Sequence, residues 1–299
     1  MDDLAPVLLF VYDRPEHTTR TLEALRRNTL AEKSDLYIFS DAPRSEEAQK
    51  SVLQVRERIK KECGFKNITI VEREKNLGLA NSIIDGVTSI CRQYGRVIVL
   101  EDDIVTSKYF LEFMNNSLLR YEGVPNVMQI SGYMFPLKVN AQTDCVFLPF
   151  ISSWGWGTWA SAWESFDATG SGYNLLIKDR KLRRAFNLNG SYPYFPMLQS
   201  QRSGKTNSWA ILWYLSVFLK NGLALYPVRT LAANIGFDGT GVNCGISEVK
   251  DRLDEEFRVH NYPSASIDPE ILRKVFSYLV KNNPSALKRL TDKILGFLQ

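Results

Sequence analysis

The sequence predicts an α/β protein: a mixed, mainly parallel sheet with helices on both faces, followed by a C-terminal helical appendix. Two observations predict it. Through the first 121 residues, short apolar runs alternate with helical stretches, the signature of a parallel sheet covered on both sides. The runs themselves are near-continuous in Val, Ile and Leu, as in strands buried on both faces. Right-handed crossovers then bring the strand C-termini to one edge, where ligands bind in such sheets.

Taken in order, residues 7–12 (VLLFVY) form the first strand, and Pro15 leads into a helix over 16–27. Residues 36–40 (LYIFS) make the second strand. The polar stretch 45–63 is a helix, with Val52, Val55 and Ile59 three and four apart on one face. Residues 68–71 (ITIV) are a third strand, Asn76 to Gly78 a turn, and 80–94 a helix. Residues 96–100 (RVIVL) form a fourth strand that ends on Glu101, Asp102 and Asp103, and 109–121 is helical again. Beyond about residue 125 the character changes. Strands are expected at 127–130, 146–150, 224–227 and 231–235, and an apolar helix at 208–220. Residues 152–163 are dense in glycine and tryptophan, 170–204 are polar and loop-rich, and 238–245 are glycine-rich. Two basic amphipathic helices, 270–281 and 285–299, close the chain. The expected division is 1–125, 126–265 and 266–299, with the first two as halves of one domain.

At 299 residues, 44% hydrophobic and 23% charged, the chain has an ordinary globular composition. Disorder, a collagen-like fibre and a disulfide scaffold are excluded. No apolar run approaches the ~20 residues needed to span a bilayer. The acidic start lacks the basic and apolar regions of a signal peptide, so the expected location is the cytoplasm. Four scattered cysteines without a CxxC pair read as free thiols. With only His17 and His260, a His/Cys zinc site or a His-based triad is not expected. Six basic against two acidic residues from 270 to 299 account for the whole net charge of +4. The rest of the chain is balanced, which argues against a nucleic-acid partner.

The sharpest feature is RVIVLEDD, residues 96–103. Three consecutive carboxylates after a buried strand repel one another and resist desolvation unless a cation or donors compensate. Magnesium and manganese prefer such oxygens, often one or two from the protein with phosphates and waters completing the shell. The alternative is an acidic turn at the N-terminus of the next helix. The loop Tyr12-Asp13-Arg14-Pro15 follows the first strand. Arg14 has the planar fork for a phosphate, while Asp13 and Pro15 also suit a helix start. Trp154 to Trp159 (WGWGTW) combines close backbone approach with broad indole faces suited to sugar rings. Core packing is the competing role, favoured for Trp159 and Trp163.

In this order, PVLLFVYDRPEHTTRTLEAL (6–25), FSDAPR (39–44), REKNLGLANSIIDGV (73–87), VLEDDIVTSKYFLEFMN (99–115), SSWGWGTWASAW (152–163), NSWAILWY (207–214) and NIGFDGTG (234–241) resemble GT-A-fold, Rossmann-like nucleotide-sugar glycosyltransferases. The likeness is to bacterial surface-polysaccharide enzymes and to the N-acetylglucosaminyltransferase I family. It implies a UDP- or dTDP-sugar donor, Mn2+ or Mg2+, and an inverting hexosyl or N-acetylhexosaminyl transfer to a glycan acceptor on a polyprenyl-diphosphate carrier. Asp103 would be the metal ligand, Asp102 would face the ribose or metal-bound waters, and Glu101 the donor sugar. Tyr12, Arg14, Asp41, Asn76 and Gly78 would bind the rest of the donor in the 1–125 half. Trp154, Trp156, Gly157 and Trp209 would face the acceptor in the 126–265 half.

Two departures stand out. Relatives carry an acid next to the tryptophan of NSWA, where this chain has Asn207, and Asn207 is no base at neutral pH. Asp238 and Glu164 are the substitutes. Relatives often end the glycine-rich segment with a His, where this chain has Asn243, a poorer manganese ligand. The competing readings are a catalytically weak or non-catalytic nucleotide-sugar-binding protein and a sugar-phosphate nucleotidylyltransferase. The latter carries a glycine-rich N-terminal signature that residues 11–20 lack. The tail helices carry apolar stripes amid lysine and arginine, suited either to packing on the domain or to a peripheral place on the inner membrane.

Overall fold

The computed structural model describes residues 3–238 and 253–282. Its strands are β1 (Val7–Val11), β2 (Asp35–Ser40), β3 (Asn67–Glu72), β4 (Arg96–Glu101), β5 (Ile104–Thr106), β6 (Val127–Ser131), β7 (Cys145–Leu148), β8 (Trp156–Trp159), β9 (Leu223–Pro227) and β10 (Ala232–Asn234). The helices are α1 (Pro15–Arg26), α2 (Glu46–Ile59), α3 (Leu79–Tyr94), α4 (Phe110–Arg120), α5 (Ala160–Trp163), α6 (Tyr173–Lys178), α7 (Arg180–Phe186), α8 (Tyr194–Arg202), α9 (Trp209–Leu219) and α10 (Pro269–Asn282).

Eight strands form one sheet in the order β3-β2-β1-β4-β8-β6-β9-β7, and β10 pairs with β5 in a small second sheet. The first four strands are parallel. β8 runs antiparallel to both β4 and β6, and β7 runs antiparallel to β9, while β6 and β9 are parallel. The expected mixed, mainly parallel sheet with helices is therefore present. β1, β6, β7, β8 and β9 are buried along their whole length; in β1, β7 and β9 this shows in the sequence as apolar runs rather than alternation.

Several elements differ from expectation. Residues 156–159 are not part of a loop. They are a central strand, and Gly157 is there because a β-carbon would come within 2.9 Å of the Val97 carbonyl on β4. The stretch 170–204 carries three short helices, α6 to α8, whose first, α6, turns only Leu176 fully inward, so no helical stripe is visible. β5 intervenes between Asp103 and α4, so Asp103 does not cap that helix. Asp13 does not cap α1 either: Arg14 holds the N-cap position without a side-chain bond. α9 is buried from Trp209 to Val217 apart from Ala210.

The apolar stripe of α10 is spent on the body of the protein. Ile271, Val275 and Leu279 are buried, and Tyr278 meets Phe135 with ring centroids 5.5 Å apart. That stripe is not available to a bilayer. The second tail helix, 285–299, and Asn243 lie outside the described residues. Among the described residues no helix is long and apolar enough to cross a membrane.

Candidate active site

The parallel strands β1, β2 and β4 end side by side, with Phe10 opposite Glu101 and Val11 opposite Ser40. The chain therefore delivers Tyr12 to Arg14, Asp41, and Glu101 to Asp103 to one edge of the sheet. Asp102 and Asp103 are buried. Arg14 donates through Nη2 to Asp102 Oδ1 and, at 2.9 Å, to Asp103 Oδ2. Asp102 Oδ2 also accepts from the Tyr12 amide at 3.3 Å, and the Asp102 carbonyl accepts from the Thr21 hydroxyl at 2.8 Å. Asp103 Oδ1 is buried and has no hydrogen-bond partner among the described residues.

The electrostatics follow from this crowding. Burial raises the Glu101 carboxyl to about 8, and the charges of Asp103 and Asp102 add to it, against Arg14 and a hydrogen bond from Trp209. Burial likewise lifts Asp102 to about 6, opposed by Arg14. Burial works against the charged Arg14, but Asp102 and Asp103 outweigh it and hold its pKa above the ordinary value. One guanidinium serves both Asp102 and Asp103, with Glu101 beside them, which leaves this edge able to take a further cation.

Asp41 closes the next loop. Its carboxylate accepts from the Leu77 amide at 2.9 Å and the Gly78 amide at 2.8 Å, and from Ala42 at 3.0 Å. Asn76 returns a bond to the Ala42 carbonyl at 2.6 Å. Gly78 stands at φ +73, in the region that penalises a β-carbon, and its turn aims two amides at one carboxylate. Tyr12 accepts at its hydroxyl from the Arg44 amide at 2.9 Å. These residues form one connected wall beside the acidic cluster.

β10 lays a third loop across it. The Ile235 amide donates to the Asp103 carbonyl at 2.9 Å. At Gly236 a β-carbon would stand 2.3 Å from Asp103 Oδ2 and 2.9 Å from Arg14 Nη1, so only glycine fits. Asp238 Oδ2 lies 3.1 Å from His17 Nε2, close enough for an ion pair but not aligned as a hydrogen bond. Trp154 is half-buried and packs against Tyr133 and Phe237, with centroids 4.4 and 5.5 Å away.

The expected residues thus divide. Tyr12, Arg14, Asp41, Asn76, Gly78, Glu101, Asp102, Asp103, Trp154 and Asp238 gather at one edge. Trp156 does not face an acceptor: it is wholly buried and stacks on Trp209, itself buried, with centroids 4.9 Å apart. Gly157 is sealed inside the sheet. Trp209 reaches the site through its hydrogen bond to Glu101. Glu164 is exposed at the opposite edge, because β8 runs away from the acidic cluster and Trp159 pairs with Arg96 at the start of β4. Asn207 is exposed in the turn before α9. The sequence reading missed His17, Tyr133, Gly236 and Phe237. Gly236 and Phe237 lie within NIGFDGTG and His17 within PVLLFVYDRPEHTTRTLEAL, whereas Tyr133 lies in none of the quoted motifs.

No group of three or more His, Cys, Asp or Glu side chains encloses a metal position among the described residues. The buried, unpartnered Asp103 oxygen beside a second carboxylate does fit a divalent ion held by one or two protein oxygens with phosphates supplying the rest. A separate cavity of about 290 Å³ lies at the far edge, lined by Ala185, Leu188, Phe218, Leu223 and Phe276 among others, with no charged side chain. It is remote from the carboxylates and offers no chemistry.

No family model matches the chain, and no curated protein does. Among solved structures, the chain is similar to a mannosyltransferase, PcManGT from Pyrobaculum calidifontis in complex with GDP-Man and Mn2+, at 17% identity over 43% of this chain and 37% of that one, with a TM-score of 0.29. It is also similar to S. aureus TarS, at 13% identity over 74% of this chain and 36% of that one, with a TM-score of 0.39. The chain spans little more than a third of either structure. Overlaps of this extent do not bear on activity.

Proposed function

We propose that the protein is a nucleotide-sugar-dependent glycosyltransferase of the GT-A type, transferring a sugar with inversion from a UDP- or dTDP-linked donor to a glycan acceptor. The observation that carries this reading is the acidic cluster at the C-terminal ends of β1 and β4, with a buried Asp103 oxygen left unpartnered. Residues 1–125 bind the donor and 126–265 the acceptor. A lipid-linked glycan of bacterial surface polysaccharide is the acceptor that the sequence resemblance favours.

Asp103, with Asp102 beside it, would hold Mn2+ or Mg2+. When bound, the ion neutralises charge developing on the departing diphosphate. Asp41 holds the 76–78 loop against the position of the base and ribose. Trp154, Tyr133 and Phe237 offer apolar faces to a sugar ring beside the carboxylates. Asp238 takes the acceptor proton, being an acid at this edge that neither belongs to the cluster nor, like Asp41, holds the amides of the 76–78 loop. A base so placed is worth about 10²–10⁴-fold.

Thermal-shift titration with UDP-, dTDP- and GDP-sugars, with and without manganese, tests the reading, because a specific ligand raises apparent stability by mass action. A metal-dependent shift that Asp103→Asn abolishes is expected. No shift with any nucleotide sugar would overturn the reading. The exposed amide of Asn207, where relatives have an acid, favours a second reading, a nucleotide-sugar-binding protein without turnover. Product formation from donor and acceptor separates the two.

A further inference from the structure

Arg14 already stands where a cation belongs. A single nitrogen, Nη2, bonds to Asp102 and Asp103 together, and the side chain is only 19% exposed. Nη1 is pressed beneath Gly236. The backbone is anchored on both sides: Tyr12 donates to Asp102, and Pro15 opens α1. The side chain is the part able to move. It caps nothing in α1, so its departure leaves the helix intact.

A divalent ion that takes the open Asp103 Oδ1 and bridges to Asp102 would also need carboxylate oxygens that Arg14 now holds, Asp102 Oδ1 and Asp103 Oδ2. Two cations so close repel strongly at a buried, low-dielectric edge. Occupancy by one excludes the other. A displaced guanidinium would not lack a partner, because its fork pairs with phosphate as readily as with carboxylate.

We propose that Arg14 is a resident counter-ion of the carboxylate cluster, displaced by the divalent metal and passed to the diphosphate of the incoming nucleotide. This rests on reading Glu101 to Asp103 as the cation and diphosphate site. Metal alone then binds weakly, because the arrangement with Arg14 withdrawn is the minor one. A diphosphate that accepts the guanidinium removes that cost. Metal and nucleotide therefore favour one another's binding, and the coupling is reciprocal. One side chain links the two ligands, and the carboxylates are not left without a cation between turnovers.

The test is manganese binding without any sugar donor, followed by electron paramagnetic resonance of the free ion, in the wild type and in Arg14→Gln, with and without UDP. Arg14→Gln is expected to bind manganese alone about tenfold more tightly than the wild type, since the competing arrangement is gone. UDP should strengthen manganese binding in the wild type and lose most of that effect in the variant. Equal or weaker binding of manganese alone by Arg14→Gln overturns the proposal, as does an absence of manganese binding in both proteins. If circular dichroism shows that Arg14→Gln is unfolded, the wild type decides by itself. The side-chain 15N resonance of Arg14 should shift on saturation with magnesium and UDP, and an unmoved resonance overturns the proposal. No sugar is transferred in these assays. Tight manganese binding by Arg14→Gln in a protein that turns over no nucleotide sugar would sink the glycosyltransferase reading and leave this one standing.

Discussion

In the β3-β2-β1-β4 half of the sheet, the residues that break the apolar pattern sit just past the strand ends. In the β8-β6-β9-β7 half they sit inside the strand and helix that cross it. Asp41 and the Glu101 to Asp103 run are carried out of β2 and β4 into a shared edge. Trp156, Trp163, Trp209 and Trp213 close in on one another, with centroid distances of 4.9 to 5.8 Å. Both sets are conspicuous in the sequence, but their positions give them opposite work. A carboxylate at a strand end is exposed to ligands and must be compensated. An indole within β8, flanked by β4 and β6, is covered on every side.

Five measurements would break or sharpen this contrast. The largest effect is expected for Trp156→Ala, which should cost about 3–5 kcal/mol, as large-to-small aromatic substitutions in cores do. Urea denaturation measures it. A variant of normal stability that had lost only acceptor binding would return Trp156 to the surface and break the contrast. Asp238→Ala should lower turnover about 10²–10⁴-fold with donor affinity kept, as loss of a general base does. Steady-state kinetics with varied donor and acceptor would show it, and full activity would remove Asp238 from the mechanism.

Asp41→Ala comes next. It releases the amides of Leu77 and Gly78, and hydrogen bonds to a charged group are worth roughly 1.5–3 kcal/mol. Nucleotide affinity by calorimetry should fall along with stability. A loss of stability alone would make the loop a strut rather than a wall of the site. Gly236→Ala places a methyl 2.3 Å from Asp103 Oδ2, and overpacking of this kind costs about 1–3 kcal/mol. Manganese titration should show weakened binding, and unchanged binding would mean that the β10 loop yields easily. Glu164→Ala should do least, within about 0.5 kcal/mol in stability as for other surface changes, with turnover unaltered. A dead Glu164→Ala enzyme would mean that the far edge of β8 takes part in the chemistry.

The first half of the molecule was legible because β1 and most of β4 are buried on both faces and its helices carry regular stripes. Val52, Val55 and Ile59 fall on the inner face of α2 as their spacing requires. The cluster at Glu101 to Asp103 was legible because nothing apolar follows β4 directly. In the second half β6, β7, β9, β10 and α9 lie where the sequence places them, whereas β8 and the short helices were hidden for physical reasons. β8 is only Trp156–Trp159, and glycine there signals close backbone approach in a strand as readily as a loop. α6 and α7 are single or double turns, too short for periodicity to emerge. β10 falls within the strand expected at 231–235, but β5 is three residues long and pairs only with it among the described strands, and no local pattern announces a pairing across more than a hundred positions. His17 and Asp238 meet for the same reason. Their contact is a property of the topology and not of either neighbourhood.

The position of β8 also bears on how the chain reaches its folded state. The sheet is not laid down in chain order: β8 enters between β4, made long before it, and β6, made shortly before it. While the protein is being synthesised, β4 must wait with one row of amides and carbonyls open, and such an edge pairs readily with other chains. Trp156 to Trp159 acts as a keystone: in the finished sheet it joins β3-β2-β1-β4 to β6-β9-β7. Parallel and non-local pairings are slow to form because loop closure precedes the contacts that reward it. The interval before residue 159 emerges is then a period in which the β4 edge is exposed to aggregation, and any change that delays the seating of β8 lengthens it.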